Sequence, residues 1–271
     1  MSAVTHTIDS ADGTTIEYRL TGTGPALVIV PGNNRMAHNY DRLAAALVDG
    51  FSVCVIERRG RGNSGPQGTG YSMDREVDDL QAVADAVGAR MLFGHSYGGL
   101  IALTAARSNP DIDRLVVYEP GISINGSFDL SFRSEFRSLL TRGKHVRAMA
   151  LFLHATRLIP LPWTPYPVCW VLAWLLVGRR GEMRDLMSTT PAELDEVALS
   201  DGDGSDFATI TANTFLVSGT VSPGYLTGVL EQLSAVIPKA RHLTLKDADH
   251  NAPDESAPER IAAELHHLLV Q

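Results

Sequence analysis

The sequence predicts an α/β fold, a mostly parallel eight-stranded sheet flanked by helices on both faces, with one helical insertion. Three observations carry this. Short β-rich runs alternate with amphipathic helical runs over most of the chain. Two of those runs, Ala26 to Val30 and Phe51 to Ile56, read as buried strands. Residues 122–205 break the rhythm: they are helical in pattern, rich in Leu, Trp and Arg, and show no strand alternation.

The elements follow in order. Residues 4–9 and 14–20 are predicted strands around the turn Ala11-Asp12-Gly13. The strand Ala26 to Val30 stops at Pro31-Gly32, residues 37–48 are helical, and Phe51 to Ile56 runs into the Gly-rich loop RRGRGNSG. Met73 to Val87 places Val77, Leu80, Val83, Ala84 and Val87 at helical spacing. Met91 to Phe93 is a short strand entering GHSYGG, Leu100 to Arg107 a helix, and Leu115 to Tyr118 a strand. After the insertion come a strand at Thr214 to Val217, a helix over 225–236, a strand at Arg241 to Leu245 and a helix over 256–269. The expected organisation is one core domain, 1–121 with 206–271, carrying a cap at 122–205.

Composition narrows the function classes. Of the 271 residues 44 % are hydrophobic and 20 % charged, as in an ordinary soluble globular protein, and the formal net charge of -8 disfavours nucleic acid as a partner. Two cysteines, Cys54 and Cys169, make no disulfide framework and read as reduced packing residues. The N-terminus lacks a basic segment followed by an apolar one, and the most apolar stretch, Pro167 to Val177, falls short of the ~20 residues of a membrane span. The expected location is cytoplasmic. No strand is followed by G-x-G-x-x-G or a P-loop, so no nucleotide cofactor is indicated. Asp247, Asp249 and His250 lack the further ligand spacing of a metal site.

Gly94-His95-Ser96-Tyr97-Gly98 fits G-x-S-x-G between a predicted strand and a predicted helix, the context that gives the motif meaning. Such a turn is too sharp for side chains beside the serine, and it lifts the hydroxyl clear of the sheet. The alternative is a Gly-rich turn that only packs tightly. With this elbow the chain resembles the α/β-hydrolase fold superfamily over nearly all its length outside 122–205. Val30-Pro31-Gly32-Asn33 resembles the family's oxyanion loop, with Pro31 in place of the usual His. Glu57 to Ser64 resembles its D-x-R-G-x-G-x-S loop, whose arginines are read as tying loops together. Asp247 to His250 resembles its histidine loop.

The resemblance implies roles. Ser96 is the nucleophile and His250, just past the last strand, the base. His95 points elsewhere, and His145 and His154 belong to the insertion. The backbone N–H groups of Tyr97 and Asn33 form the oxyanion hole, with the Asn33 side chain either contributing or merely forming a turn. The usual acid is missing, because Val217 to Pro223 contains no carboxylate. Glu119, ending the strand Leu115 to Tyr118, is the expected acid, an arrangement resembling that of certain dehalogenases and resorcylate lactonases. Asp201, Asp203 and Asp206 are its rivals.

All three tryptophans, Trp163, Trp170 and Trp174, lie in the insertion and are expected to bind substrate. Two other readings of this apolar segment are the cap's own core and an interfacial or homodimer surface. The expected activity is hydrolysis of an ester or lactone of a hydrophobic or aromatic small molecule through an acyl-enzyme on Ser96. A serine elbow argues against alkyl-enzyme chemistry, which needs a carboxylate nucleophile. Perhydrolysis, carbon–carbon bond hydrolysis and acyl transfer use the same triad. A non-catalytic ligand-binding relative is the alternative from another class.

Overall fold

A computed structural model describes residues 3–159, 164–178 and 181–270. In chain order the elements are β1 (Val4–Asp9), β2 (Thr15–Thr21), β3 (Ala26–Val30), α1 (Asp41–Leu47), β4 (Ser52–Ile56), α2 (Met73–Val87), β5 (Met91–His95), α3 (Tyr97–Ser108) and β6 (Arg114–Tyr118). Five helices follow: α4 (Arg133–Thr141), α5 (His145–Thr156), α6 (Tyr166–Gly178), α7 (Gly181–Met187) and α8 (Thr190–Leu199). The chain then returns through β7 (Asn213–Gly219), α9 (Gly224–Val236), β8 (Ala240–Leu245) and α10 (Pro258–Val270). The helix expected over 37–48 is a 3-10 turn, Ala37–Tyr40, leading into α1. The last helix begins two residues late because one π-helical turn, Ala252–Ser256, precedes it.

The eight strands form one sheet in the order β1-β2-β4-β3-β5-β6-β7-β8. β2 is antiparallel to both neighbours, and every other pairing is parallel. The alternation of side chains along each strand sorts the core into two layers. Val28, Val30, Leu92, Leu115, Val117 and Leu216 face the side covered by α2, α3 and α9. Leu27, Ile29, Phe93, Val116, Phe215 and Val217 face the side covered by α1 and α10. Being covered on both faces, the central strands are apolar at most positions, which is why they read as runs rather than alternations.

β4 lies on one side of β3 and β5 on the other, so the connections leaving β3 and β5 diverge. Such a reversal opens a crevice at the carboxyl ends of the strands. The loops at Pro31 and Ser96 both open there. The inserted helices hold a third apolar cluster, including Phe132, Phe136, Met149, Cys169, Ala173 and Met187. The two ends of the insertion run side by side, with a bridge between Ile124 and Gly202. Cys54 and Cys169 are buried free thiols.

Candidate active site

β5 enters the crevice and turns abruptly into α3, leaving Ser96 with φ 53° and ψ -124°. A side-chain-bearing residue holds such a conformation only where its surroundings over-determine it. Three hydrogen bonds do so. The Ser96 N–H donates to the Tyr118 carbonyl at 3.0 Å, and the Ser96 carbonyl accepts from Gly99 N–H at 2.8 Å and Gly121 N–H at 2.7 Å. The glycines are steric requirements. A Cβ on Gly98 would lie 2.1 Å from the Val30 carbonyl oxygen, and one on Gly94 2.5 Å from the Gly98 oxygen.

Tyr97 opens α3, so its N–H belongs to the first turn, where helical amides lack intrahelical acceptors. The loop after β3 comes equally close, since a Cβ on Gly32 would stand 3.7 Å from Ser96 Oγ. Asn33 follows on that loop, but its side chain turns to the inserted helices. Its amide nitrogen donates to the Glu193 carboxylate and, at 3.3 Å, to Thr190 Oγ1. Both amide hydrogens of the Asn33 side chain are therefore engaged away from Ser96.

His250 is buried, and its Nδ1 lies 2.8 Å from Glu119 Oε2. Glu119 is fully buried at the end of β6, with φ 44°, and its Oε1 accepts the Gly219 N–H at 2.8 Å. That N–H belongs to the carboxylate-free loop after β7, which thus hydrogen-bonds the Glu119 carboxylate. Asp201, Asp203 and Asp206 are engaged elsewhere: with Gly126 N–H, Ser205 N–H and Arg107 respectively.

His95 links the histidine loop to the oxyanion loop. Its Nε2 lies 2.8 Å from the His250 carbonyl oxygen, which can only accept, so Nε2 carries the proton. Its Nδ1 then accepts from Tyr40 Oη at 2.7 Å, and that hydroxyl accepts Gly32 N–H at 3.1 Å. Burial, then the neighbouring His250, hold the His95 pKa well below the ordinary range, so it stays neutral.

A buried ionic cluster lies under the oxyanion loop. Arg58 pairs with Glu76 at 2.6 Å and Glu193 at 2.9 Å, donates to the Gly32 carbonyl at 3.3 Å, and places its guanidinium 4.7 Å from the centre of the Tyr97 ring. Arg61 pairs with Glu193 at 2.5 Å, and Arg59 with Asp79 at 2.7 Å. Burial alone would raise the Glu193 pKa, but Arg58 and Arg61 outweigh it and hold the carboxylate below its ordinary range. The arginines of this loop are thus internal ties. Glu193 and Tyr40 were not legible in the sequence, because no motif surrounds either.

Ser96 and His250 line two cavities. The inner one, about 50 Å³, is enclosed chiefly by apolar side chains, including Ile122, Phe128, Leu194, Val197 and Leu226. The outer one, about 410 Å³, runs out between the oxyanion loop and Met149, Leu153, Leu172, Leu175 and Leu176 of the inserted helices. Trp170 and Trp174 line neither. They stand on the opposite face of α6, 44 % and 49 % exposed, which corrects the expectation that they bind substrate. The buried stripe of α6 is instead Cys169, Ala173 and Val177. Trp163 lies outside the described residues.

The sequence profile of the alpha/beta hydrolase family matches residues 27–264, and the chain belongs to that family. It is a hydrolase. It is 38 % identical over 120 residues to an N-formylmaleamate deformylase of Pseudomonas putida, covering 42 % of this chain and 44 % of that protein. A 2-(acetamidomethylene)succinate hydrolase of Mesorhizobium japonicum is 31 % identical over 105 residues, 38 % of each chain. These matches span less than half the length of either relative. An alpha/beta hydrolase from Sphaerobacter thermophilus superposes with a TM-score of 0.83 at 29 % identity, over 97 % of this chain and 100 % of that one. No helix among the described residues is long and apolar enough to cross a membrane.

Proposed function

We propose that the protein is a serine hydrolase of carboxylic esters or lactones of neutral, hydrophobic or aromatic small molecules, with Ser96, His250 and Glu119 as its triad and residues 122–205 as a cap over the site. The observation that carries this is the Glu119–His250 pair at 2.8 Å, buried beside a serine held on a positive-φ elbow. His250, oriented by Glu119, takes the Ser96 proton as the oxygen attacks the carbonyl carbon. The oxyanion is held by the Tyr97 and Asn33 backbone N–H groups. Collapse breaks the bond to the alkoxy oxygen, which leaves with the proton from His250. Water, deprotonated by His250, then attacks the acyl-enzyme and restores Ser96.

The cavities support the substrate class. On a scale where one water needs about 10–15 Å³, the inner cavity accommodates a short apolar arm, and the outer cavity a larger one. The relatives' printed names suggest a second reading, cleavage of a carbon–nitrogen bond in an amide-bearing acid. Among the described lining residues the only cation is Arg35, and it is ion-paired with Asp254 and Glu255. That favours a neutral substrate over a dicarboxylate.

The test is a panel of aryl esters, aromatic lactones and N-acyl enamides with wild type and Ser96→Ala. Turnover of short-acyl esters that disappears in Ser96→Ala is expected. Turnover of anionic amides alone supports the second reading. Absence of both turnover and fluorophosphonate labelling of Ser96 overturns the hydrolytic role of this triad and leaves a ligand-binding protein.

A further inference from the structure

Helix α6 carries no charged residue, although it lies at the surface of a chain with a formal net charge of -8. Cys169, Ala173 and Val177 are buried, and the face opposite presents Trp170, Val171, Trp174 and Leu175 to solvent, each between 41 % and 51 % exposed. An ordinary surface helix has polar residues at such positions. Leu175 belongs both to this outward stripe and to the lining of the outer cavity, beside Leu172 and Leu176. The apolar surface therefore continues into the mouth of the cavity that ends at Ser96.

The segment that carries this face is basic, while Glu182 and Asp185 follow it on α7 and Glu255 lines the outer cavity. Residues 136–181 contain Arg137, Arg142, Lys144, Arg147, Arg157, Arg179 and Arg180, and no Asp or Glu. Helices α5 and α6 pack together, and His154 near the end of α5 meets Tyr166 at the start of α6 with ring centroids 5.7 Å apart. The pair is thus antiparallel, and the start of α5, with Arg142, Lys144 and Arg147 exposed, lies beside the end of α6. A 13-residue helix is about 20 Å long, too short for a bilayer core of about 30 Å. Tryptophans beside cations suit a helix lying in the plane of a lipid interface.

We infer that α6 docks the protein on an anionic lipid surface, with Trp170, Val171, Trp174 and Leu175 in the headgroup boundary and Arg142, Lys144 and Arg147 against the headgroups. The outer cavity then opens towards the lipid, from which an apolar substrate reaches Ser96 without crossing water. A two-fold dimer on the same face would set the same cations of two copies against each other. The remainder of the chain is acidic on balance, which orients the molecule with this basic segment towards a negative surface.

The experiment is flotation of the full chain with phosphatidylcholine vesicles, with and without phosphatidylglycerol. Tryptophan emission is read in parallel, since every tryptophan of the chain lies at 163–174. Binding to the anionic vesicles with a blue shift is expected, weakening as salt rises, and weaker with phosphatidylcholine alone. The double variant Trp170→Glu/Trp174→Glu should bind about tenfold less while hydrolysing a soluble short ester like wild type. Lys144→Glu/Arg147→Glu should lose the preference for phosphatidylglycerol. Ser96→Ala should bind like wild type, which separates this inference from the catalytic reading. Failure of wild type to float at low salt overturns it. So does a dimer that the tryptophan substitutions dissociate, which would assign the face to a second copy.

Discussion

Replacing Glu193 with alanine tests how the inserted helices are tied to the site. Glu193 is 1 % exposed and accepts from Arg58, Arg61 and Asn33. Without it Arg58 keeps Glu76, but Arg61 keeps only Thr189 Oγ1 at 3.4 Å. Arg61 Nε and Nη1 are already buried without a hydrogen-bond partner, so the variant leaves a buried cation nearly unpaired. Breaking one side of a buried ion pair costs about 3–5 kcal/mol. At about 2–4 °C per kcal/mol for a chain of this size class, the midpoint should fall by roughly 6–20 °C. Glu193→Gln, which keeps an acceptor oxygen, should lose less. Arginine contacts hold the folded Glu193 pKa below its unfolded value, so its contribution is present above that unfolded value and lost as pH falls through the folded one. The gap between wild type and Glu193→Ala should therefore narrow in acid. Urea and thermal unfolding at several pH values read all three. An alanine variant within about 0.5 kcal/mol of wild type, or a gap independent of pH, would refute the argument.

Glu119→Gln should lower kcat by about 10⁴ with the fold intact, since the amide neither stabilises the imidazolium nor enforces the same tautomer; near-normal turnover would remove Glu119 from the triad. Gly98→Ala should yield little soluble protein, because its Cβ meets two carbonyl oxygens at 2.1 and 2.6 Å, and normal folding would show that the elbow can relax. Burial pushes the Glu57 pKa up from its ordinary 4.5 to about 7. The folded state then holds this proton longer than the unfolded state, so the group lowers stability as pH rises from about 4.5 to about 7, by about 3 kcal/mol in all. Glu57→Gln should lack that decline in urea titrations between pH 5 and pH 8, and parallel curves for the two proteins would contradict the assignment.

What the sequence determined by itself is what depends on neighbours along the chain. The elbow at Ser96, the Pro31-Gly32 loop and His250 after the last strand each need particular residues within a few positions, because a tight turn restricts φ, ψ and Cβ locally. The central strands were legible for a related reason, since double-sided burial favours apolar residues at successive positions. The tertiary structure decided whatever depends on partners distant in sequence. The sequence offered Glu119 as the acid with Asp201, Asp203 and Asp206 as rivals, and the fold brings Glu119, 131 residues away, against His250. Glu193 reaches Asn33 across 160 residues, with no local pattern to announce it. The orientation of Trp170 and Trp174 was equally hidden. A helix apolar on every face has no periodicity to say which side is buried, and only the packing of Cys169, Ala173 and Val177 turns the tryptophans outward. Backbone sterics act over a few residues and so are written in short motifs, whereas buried charge pairing and helix packing are settled by what the folded chain brings into contact.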